Sequence, residues 1–137
     1  MKIEECIFYQ LSKANQAAAR FLSERLAPSK VTAVQGVVLN FLSEGDEITS
    51  NRLGQRTKLD SATLTGILDR LEATELVERR PNPADRRAIS ICLTKKGKKL
   101  AADVHKTIEK ANGELLTGFG MQEERGLKAM LLRIHHG

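Results

Sequence analysis

Tryptophan is absent from this 137-residue chain, tyrosine occurs once and phenylalanine four times, so any internal cavity is expected to have largely aliphatic walls. The two cysteines, Cys6 and Cys92, are too few and too far apart for a disulfide framework or a CxxC metal motif, and they are expected as free thiols. No apolar run approaches the roughly 20 residues of a membrane-spanning helix. The opening MKIEECIFYQ carries charges where a signal peptide has its apolar core, so a cytoplasmic location is expected. A glycine-rich phosphate loop, a nucleophile with a paired base and clustered carboxylates are all missing, so neither an enzyme nor a cofactor is expected. Repeats and low-complexity tracts are missing too, and the three prolines are Pro28, Pro81 and Pro83.

What the chain does have is positive charge. Its 22 Lys and Arg against 17 Asp and Glu leave a net +5, a balance that favours an anionic partner if the charge is localised. The length suits one domain with one core.

The apolar positions from Ile3 to Leu26 (Ile7, Leu11, Ala14, Ala18, Phe21) step by four and three, a seam that calls for a second helix along it, until Pro28 ends the run. Thr32 and Gln35 have the form of a capping box, followed by the stripe Val34, Val37, Val38, Phe41 and Leu42. Next come two short helices with the same grammar. Thr49 caps the first, with Ile48 and Leu53 as staple; Asp60 caps the second, with Leu59 and Leu64 as staple. In the second, Leu64, Ile67, Leu68 and Leu71 form one buried face, leaving Ser61, Thr63, Thr65, Gly66 and Arg70 elsewhere on the helix. Two stapled starts so close together resemble a helix-turn-helix.

A hairpin follows. Its first strand begins at Leu76-Val77; in its second, Ala88 to Leu93, Ile89, Ile91 and Leu93 are expected on one face with Ser90 and Cys92 on the other. Arg79, Arg80, Arg86 and Arg87 cluster around a loop stiffened by prolines. Thr94 can cap the next helix, whose first turns hold Lys95, Lys96, Lys98 and Lys99. Cations there oppose the helix dipole and call for a nearby anion such as phosphate. That helix carries the stripe Leu100, Val104, Ile108, Ala111 and Leu115 as far as Gly118 and Gly120, and a last helix spans about Gln122 to Ile134. The helical stripes at the two chain ends exceed what one small domain can cover, so a dimer built from both termini is expected. The fold class is mainly α with a small β hairpin (α+β).

The stretches LDSATLTGILDRLE, LVERR and DRRAISICLTKKG, with Asp85, Arg87, Leu93, Thr94 and Gly97 in a D-x-R-x-x-x-x-x-L-T-x-x-G pattern, resemble the MarR family of winged-helix transcriptional regulators. The resemblance extends over nearly the whole chain. It implies a single MarR-like domain over 1–137, with dimerisation helices in 1–30 and 95–137 flanking a winged helix-turn-helix in 31–94. It also implies a homodimer on double-stranded DNA at a pseudo-palindromic operator, more in keeping with a repressor than an activator, released by an unknown small-molecule effector. Ser61, Thr63, Thr65, Gly66 and Arg70 then face the major groove, and Arg79, Arg86 and Arg87 lie with the wing on DNA. Arg87 matches the wing arginine of the minor groove, with Asp85 orienting it through an ion pair. Asp69, a carboxylate that phosphates would repel, is expected in an intrasubunit salt bridge. Where the family usually has glycine, this chain has Glu75, and a left-handed cap there costs roughly 1 kcal/mol.

Two other readings stand beside this one. Cys6 is placed similarly to the sensing cysteine of the hydroperoxide-responsive branch of the family, which allows a thiol-based oxidative-stress sensor. Against it, Glu4 and Glu5 flank the thiol, and Tyr9 stands alone where that branch has several tyrosines. A non-specific architectural DNA-binding protein would use the same arginines and the same dimer. Glu4, Glu5, Cys6 and His105 have no metal-ligand spacing, and no metal is expected.

Overall fold

Helix boundaries follow the side chains that take the first free backbone amides. In this computed structural model, which describes residues 1–45 and 47–136, α1 spans Ile7–Leu26, α2 Ala33–Ser43, α3 Ser50–Thr57, α4 Ser61–Ala73, α5 Lys95–Leu115 and α6 Met121–His136. Thr32 Oγ1 accepts from Gln35 N at 3.2 Å, while Gln35 Oε1 accepts from Thr32 N at 3.1 Å, completing the capping box. Thr49, Asp60 and Thr94 cap α3, α4 and α5 through Arg52 N, Thr63 N and Gly97 N at 3.2, 2.8 and 2.9 Å.

The first helix does not run unbroken from Ile3. A 3-10 turn at Ile3–Glu5 precedes α1, and Cys6, extended at φ −66° and ψ 133°, is the cap between them. Gln10 Nε2 reaches back to Glu4 O and holds the turn.

The core is Leu26, Val38, Leu39, Leu53, Leu68, Leu71, Val77, Ile91 and Val104, all essentially inaccessible. Helix α2 lies across α5 and the end of α1 at Gly36, where a Cβ would come within 2.9 Å of Leu26 Cδ1 and 3.3 Å of Val104 Cγ1. That close approach rotates the buried face of α2 to Gly36, Val38, Leu39 and Leu42. Val34 and Val37, expected inside, are exposed.

The expected two-stranded hairpin is a three-stranded antiparallel sheet in the order β1-β3-β2, where β1 is Ile48–Thr49, β2 Val77–Pro81 and β3 Ile89–Leu93. Two residues of β1 pair Ile48 with Ile91 and Thr49 with Ser90, making β3 the central strand. Both faces of β3 are covered as a result. Ser90 is covered by neighbours on both sides, Thr49 and Arg80, and Cys92 pairs with Glu78, so both are buried while Ile89 at the tip is exposed.

Glycine in the Leu-Thr-x-x-Gly run has a steric reason: a Cβ on Gly97 would sit 1.9 Å from Leu76 O. The backbone there joins α5 to the exit of α4, and Thr94 N donates to that same Leu76 carbonyl at 3.1 Å.

Helix α6 buries none of its side chains, and its last turn is tied to the end of α3: Lys58 Nζ lies 3.1 Å from both His135 O and His135 Nδ1. Large apolar side chains remain exposed at both chain ends, among them Ile3, Ile7, Phe8, Phe119, Met121, Leu132 and Ile134. Among the described residues, no helix is long and apolar enough to cross a membrane.

Candidate nucleic-acid interface

Helix α4 buries Leu64, Ile67, Leu68 and Leu71 and exposes Ser61, Thr63, Thr65, Gly66 and Arg70. The two faces follow from the 3.6-residue period, and the entry angle from Asp60. One Asp60 oxygen accepts from Thr63 N and the other from Thr63 Oγ1, both at 2.8 Å. Backbone and hydroxyl bonds from Thr63 hold the Asp60 carboxyl below its ordinary range. The hydroxyl proton of Thr63 is thereby engaged in the cap, whereas those of Ser61 and Thr65 have no hydrogen-bond partner among the described residues.

The exit from α4 is a left-handed cap at Glu75, with φ +61°, in spite of the cost to a non-glycine residue. Glu75 N donates to Glu72 O at 2.9 Å and Leu76 N to Leu71 O at 2.8 Å, a Schellman pair, and Thr94 Oγ1 donates to Glu75 O at 2.6 Å. The strain is fixed by the start of α5. Lys96 Nζ donates to Thr74 O at 3.1 Å, placing a cation at the negative end of α4 and accounting for one member of the lysine run.

The four hairpin arginines separate into two kinds. Arg79, expected on DNA, turns back onto α4: Nη2 lies 2.8 Å from Asp69 Oδ1, Nη1 lies 3.1 Å from Glu72 Oε1, and the side chain is only a quarter exposed. This is the salt bridge expected for Asp69, and it ties β2 to α4. Arg80 is held by Glu78 at 2.6 Å, whose hydrogen bond and charge raise its already high pKa. Arg86 and Arg87, like Arg70 on α4, are exposed and without an acidic partner among the described residues.

Asp85 orients the wing by a different bond from the expected ion pair. Its Oδ1 accepts the backbone N–H of Arg87 at 3.0 Å and its carbonyl accepts Ala88 N at 3.0 Å, so the carboxylate shapes the turn and leaves the guanidinium of Arg87 outside. Asn82 repeats the device on Ala84 N at 2.8 Å.

A cleft of about 660 Å³ opens where α5 begins against the end of α4. Val31, Leu71, Leu76 and Leu100 give it an aliphatic floor; Lys30, Arg70, Lys96 and Lys99 supply cations, with Asp103 the one carboxylate.

Cys6 is partly exposed and Cys92 buried. Burial, then the neighbouring Glu47 carboxylate, pushes the Cys92 thiol up. His105 is bonded through its two ring nitrogens to Asn40 Oδ1 at 2.7 Å and Glu109 Oε1 at 3.2 Å. Among the described residues no three His, Cys, Asp or Glu side chains gather as a metal site.

Residues 29–88 match the MarR family model. Over 121 residues the chain is 32% identical to the multiple antibiotic resistance protein MarR of Escherichia coli, covering 88% of this chain and 84% of that one. Over 95 residues it is 33% identical to the HTH-type transcriptional repressor NicR of Pseudomonas putida, covering 69% of this chain; the match spans only 60% of NicR. Among solved structures, BpsR of Bordetella bronchiseptica, whose DNA binding is regulated by 6-hydroxynicotinic acid, superposes with a TM-score of 0.94 at 26% identity over 100% of this chain and 98% of that one. A cysteine-to-serine variant of E. coli MarR complexed with operator DNA gives 0.88 at 30% identity over 98% and 99%.

Proposed function

We propose, from the premise that this chain belongs to the MarR family, that it is a homodimeric repressor of transcription, acting in the cytoplasm on a pseudo-palindromic operator and released by a small organic anion. The observation that carries this reading is the sorting of the arginines. Arg79 and Arg80 are neutralised by Asp69, Glu72 and Glu78, while Arg70, Arg86 and Arg87 are exposed on the recognition helix and the wing loop without acidic partners among the described residues. Uncompensated charge thus lies on the two elements that a winged helix presents to DNA.

In this reading Ser61, Thr65, Gly66 and Arg70 meet the major groove, and Arg86 and Arg87 meet the minor groove or its phosphates. Arg79 is a positioning residue. Thr63 serves first as the capping partner of Asp60. The dimer is supported by the exposed apolar side chains of the two termini: Phe8 is 79% exposed, Met121 73% and Ile134 54%, more apolar surface than a monomer leaves in water.

Release by an anion is supported by the cleft beside α4, whose volume falls in the usual range for ligand sites of roughly 300–1,000 Å³. Its aliphatic floor and four cations fit an acid with an apolar body, the chemistry of the acid that regulates BpsR. Arg70 belongs both to that cleft and to the exposed recognition helix, so a bound carboxylate competes with DNA for the same guanidinium.

Footprinting on the DNA upstream of the coding sequence tests the reading. It predicts two protected half-sites with centres about 10 base pairs apart, or a multiple of that spacing. Uniform partial protection along the fragment would favour the architectural alternative.

A further inference from the structure

A second cleft, of about 410 Å³, lies between α3 and α4 on the helix-turn-helix. Half-buried Leu59 forms its floor, with Leu64 and Leu68 almost wholly covered behind it. Above them, Asn51 and Gln55 on α3 face Ser61 and Thr65 on α4, two rows each spaced by four residues and therefore each one helix face. None of these four polar side chains has a hydrogen-bond partner among the described residues. None of the residues that line the cleft carries a charge.

This combination separates the cleft from the cationic surface around it. A phosphate would seek the arginines and lysines; neutral amides and hydroxyls over an apolar floor suit a base edge instead. Side-chain amides offer the donor and acceptor pair that reads adenine, and apolar carbon suits the methyl group of thymine. Gly54 keeps the floor open: a Cβ there would touch Leu64 Cδ2 at 3.6 Å, an ordinary contact.

We propose that this notch reads an A·T-containing step of the operator, with a thymine 5-methyl group seated on the leucine floor and the Gln55 amide bonded to the adjoining base edge. Asn51 assists at the rim. The proposal rests on the reading of this chain as a DNA-binding regulator. It assigns specificity to α3, a helix otherwise occupied in supporting α4.

The test begins with the full-length protein enriching sites from a random duplex pool. Replacing thymines of the enriched site one at a time by uracil removes only a methyl group, and at one position per half-site it lowers affinity about fourfold, the value of one buried methyl. Gln55→Ala relaxes the preference at the neighbouring base about tenfold. Gly54→Ala, which fills the floor without a clash, reduces the penalty of uracil substitution while leaving thermal stability intact. Indifference to uracil at every thymine, or an unchanged base preference in Gln55→Ala, overturns the proposal alone. If the wild-type protein enriches no sequence, the DNA-reading function fails and the proposal falls with it.

Discussion

Arg79 on the first wing strand and Asp69 on the recognition helix form an ion pair at 2.8 Å, and Glu72 holds the other guanidinium nitrogen at 3.1 Å. The forked guanidinium bridges two carboxylates one helical turn apart, so wing and helix keep a fixed relative angle. Arg79→Ala is therefore expected to lower stability by on the order of 1 kcal/mol, since both carboxylates are well exposed and screened. Operator affinity should fall with it, but the dependence of binding on salt should not change. Denaturant unfolding and DNA titrations at several salt concentrations check both parts; a salt slope reduced by about one would instead make Arg79 a phosphate contact.

Arg87 has the opposite profile. Asp85 fixes its backbone amide and leaves the side chain exposed. Arg87→Ala should weaken operator binding by roughly 1 to 3 kcal/mol while leaving the melting temperature and the dimer unchanged. Unaltered affinity in a DNA titration would remove the wing from the interface.

Glu75 occupies a left-handed position with φ +61°, and its side chain makes no hydrogen bond or ion pair among the described residues. Replacing it by glycine removes the steric penalty of that conformation, offset in part by the greater freedom of glycine in the unfolded chain. Glu75→Gly should stabilise the protein by on the order of 0.5 kcal/mol and leave DNA affinity unchanged. A lower melting temperature would contradict the strain assigned to this cap.

The two thiols should differ in reactivity. Burial and Glu47 push the Cys92 thiol up, so its thiolate is populated only at higher pH than usual, whereas Cys6 is partly exposed. One thiol should react with a disulfide reagent in the folded protein at neutral pH, and Cys6→Ser should abolish that reaction while leaving DNA binding unchanged. Loss of a peroxide-induced release in the same variant would make Cys6 a sensor.

Local chemistry makes much of this molecule legible in its sequence. Thr32, Thr49, Asp60 and Thr94 each cap the helix they announce, because a cap is decided within four residues. The buried face of α4 follows from its period, whereas at Glu75 the sequence shows the cost of a left-handed cap and only the structure shows that the chain adopts it. What the sequence hid depends on partners distant along the chain. The strand at Ile48–Thr49 exists because it pairs with Ser90 and Ile91, and that pairing makes β3 a central strand with Ser90 buried on its second face. Val34 and Val37 face outward because Gly36 admits Leu26 and Val104 so closely. The ion pairs of Arg79 with Asp69 and Glu72 give no local signal, because they join a strand to a helix seven to ten residues away. Asn51 and Gln55 gave no signal at all, since two polar residues on a short helix become a site only when α4 faces them across a cleft.

In the proposed function, the exposed face of α4 and the wing arginines distinguish one DNA sequence from others. Fluorescence anisotropy of the full-length protein against a labelled fragment from upstream of its own coding sequence, beside a scrambled duplex and at two salt concentrations, measures that directly. A preference of about a thousandfold or more for the upstream fragment is expected, persisting as added salt weakens both. Equal affinity for the two duplexes, falling together with salt, would contradict it.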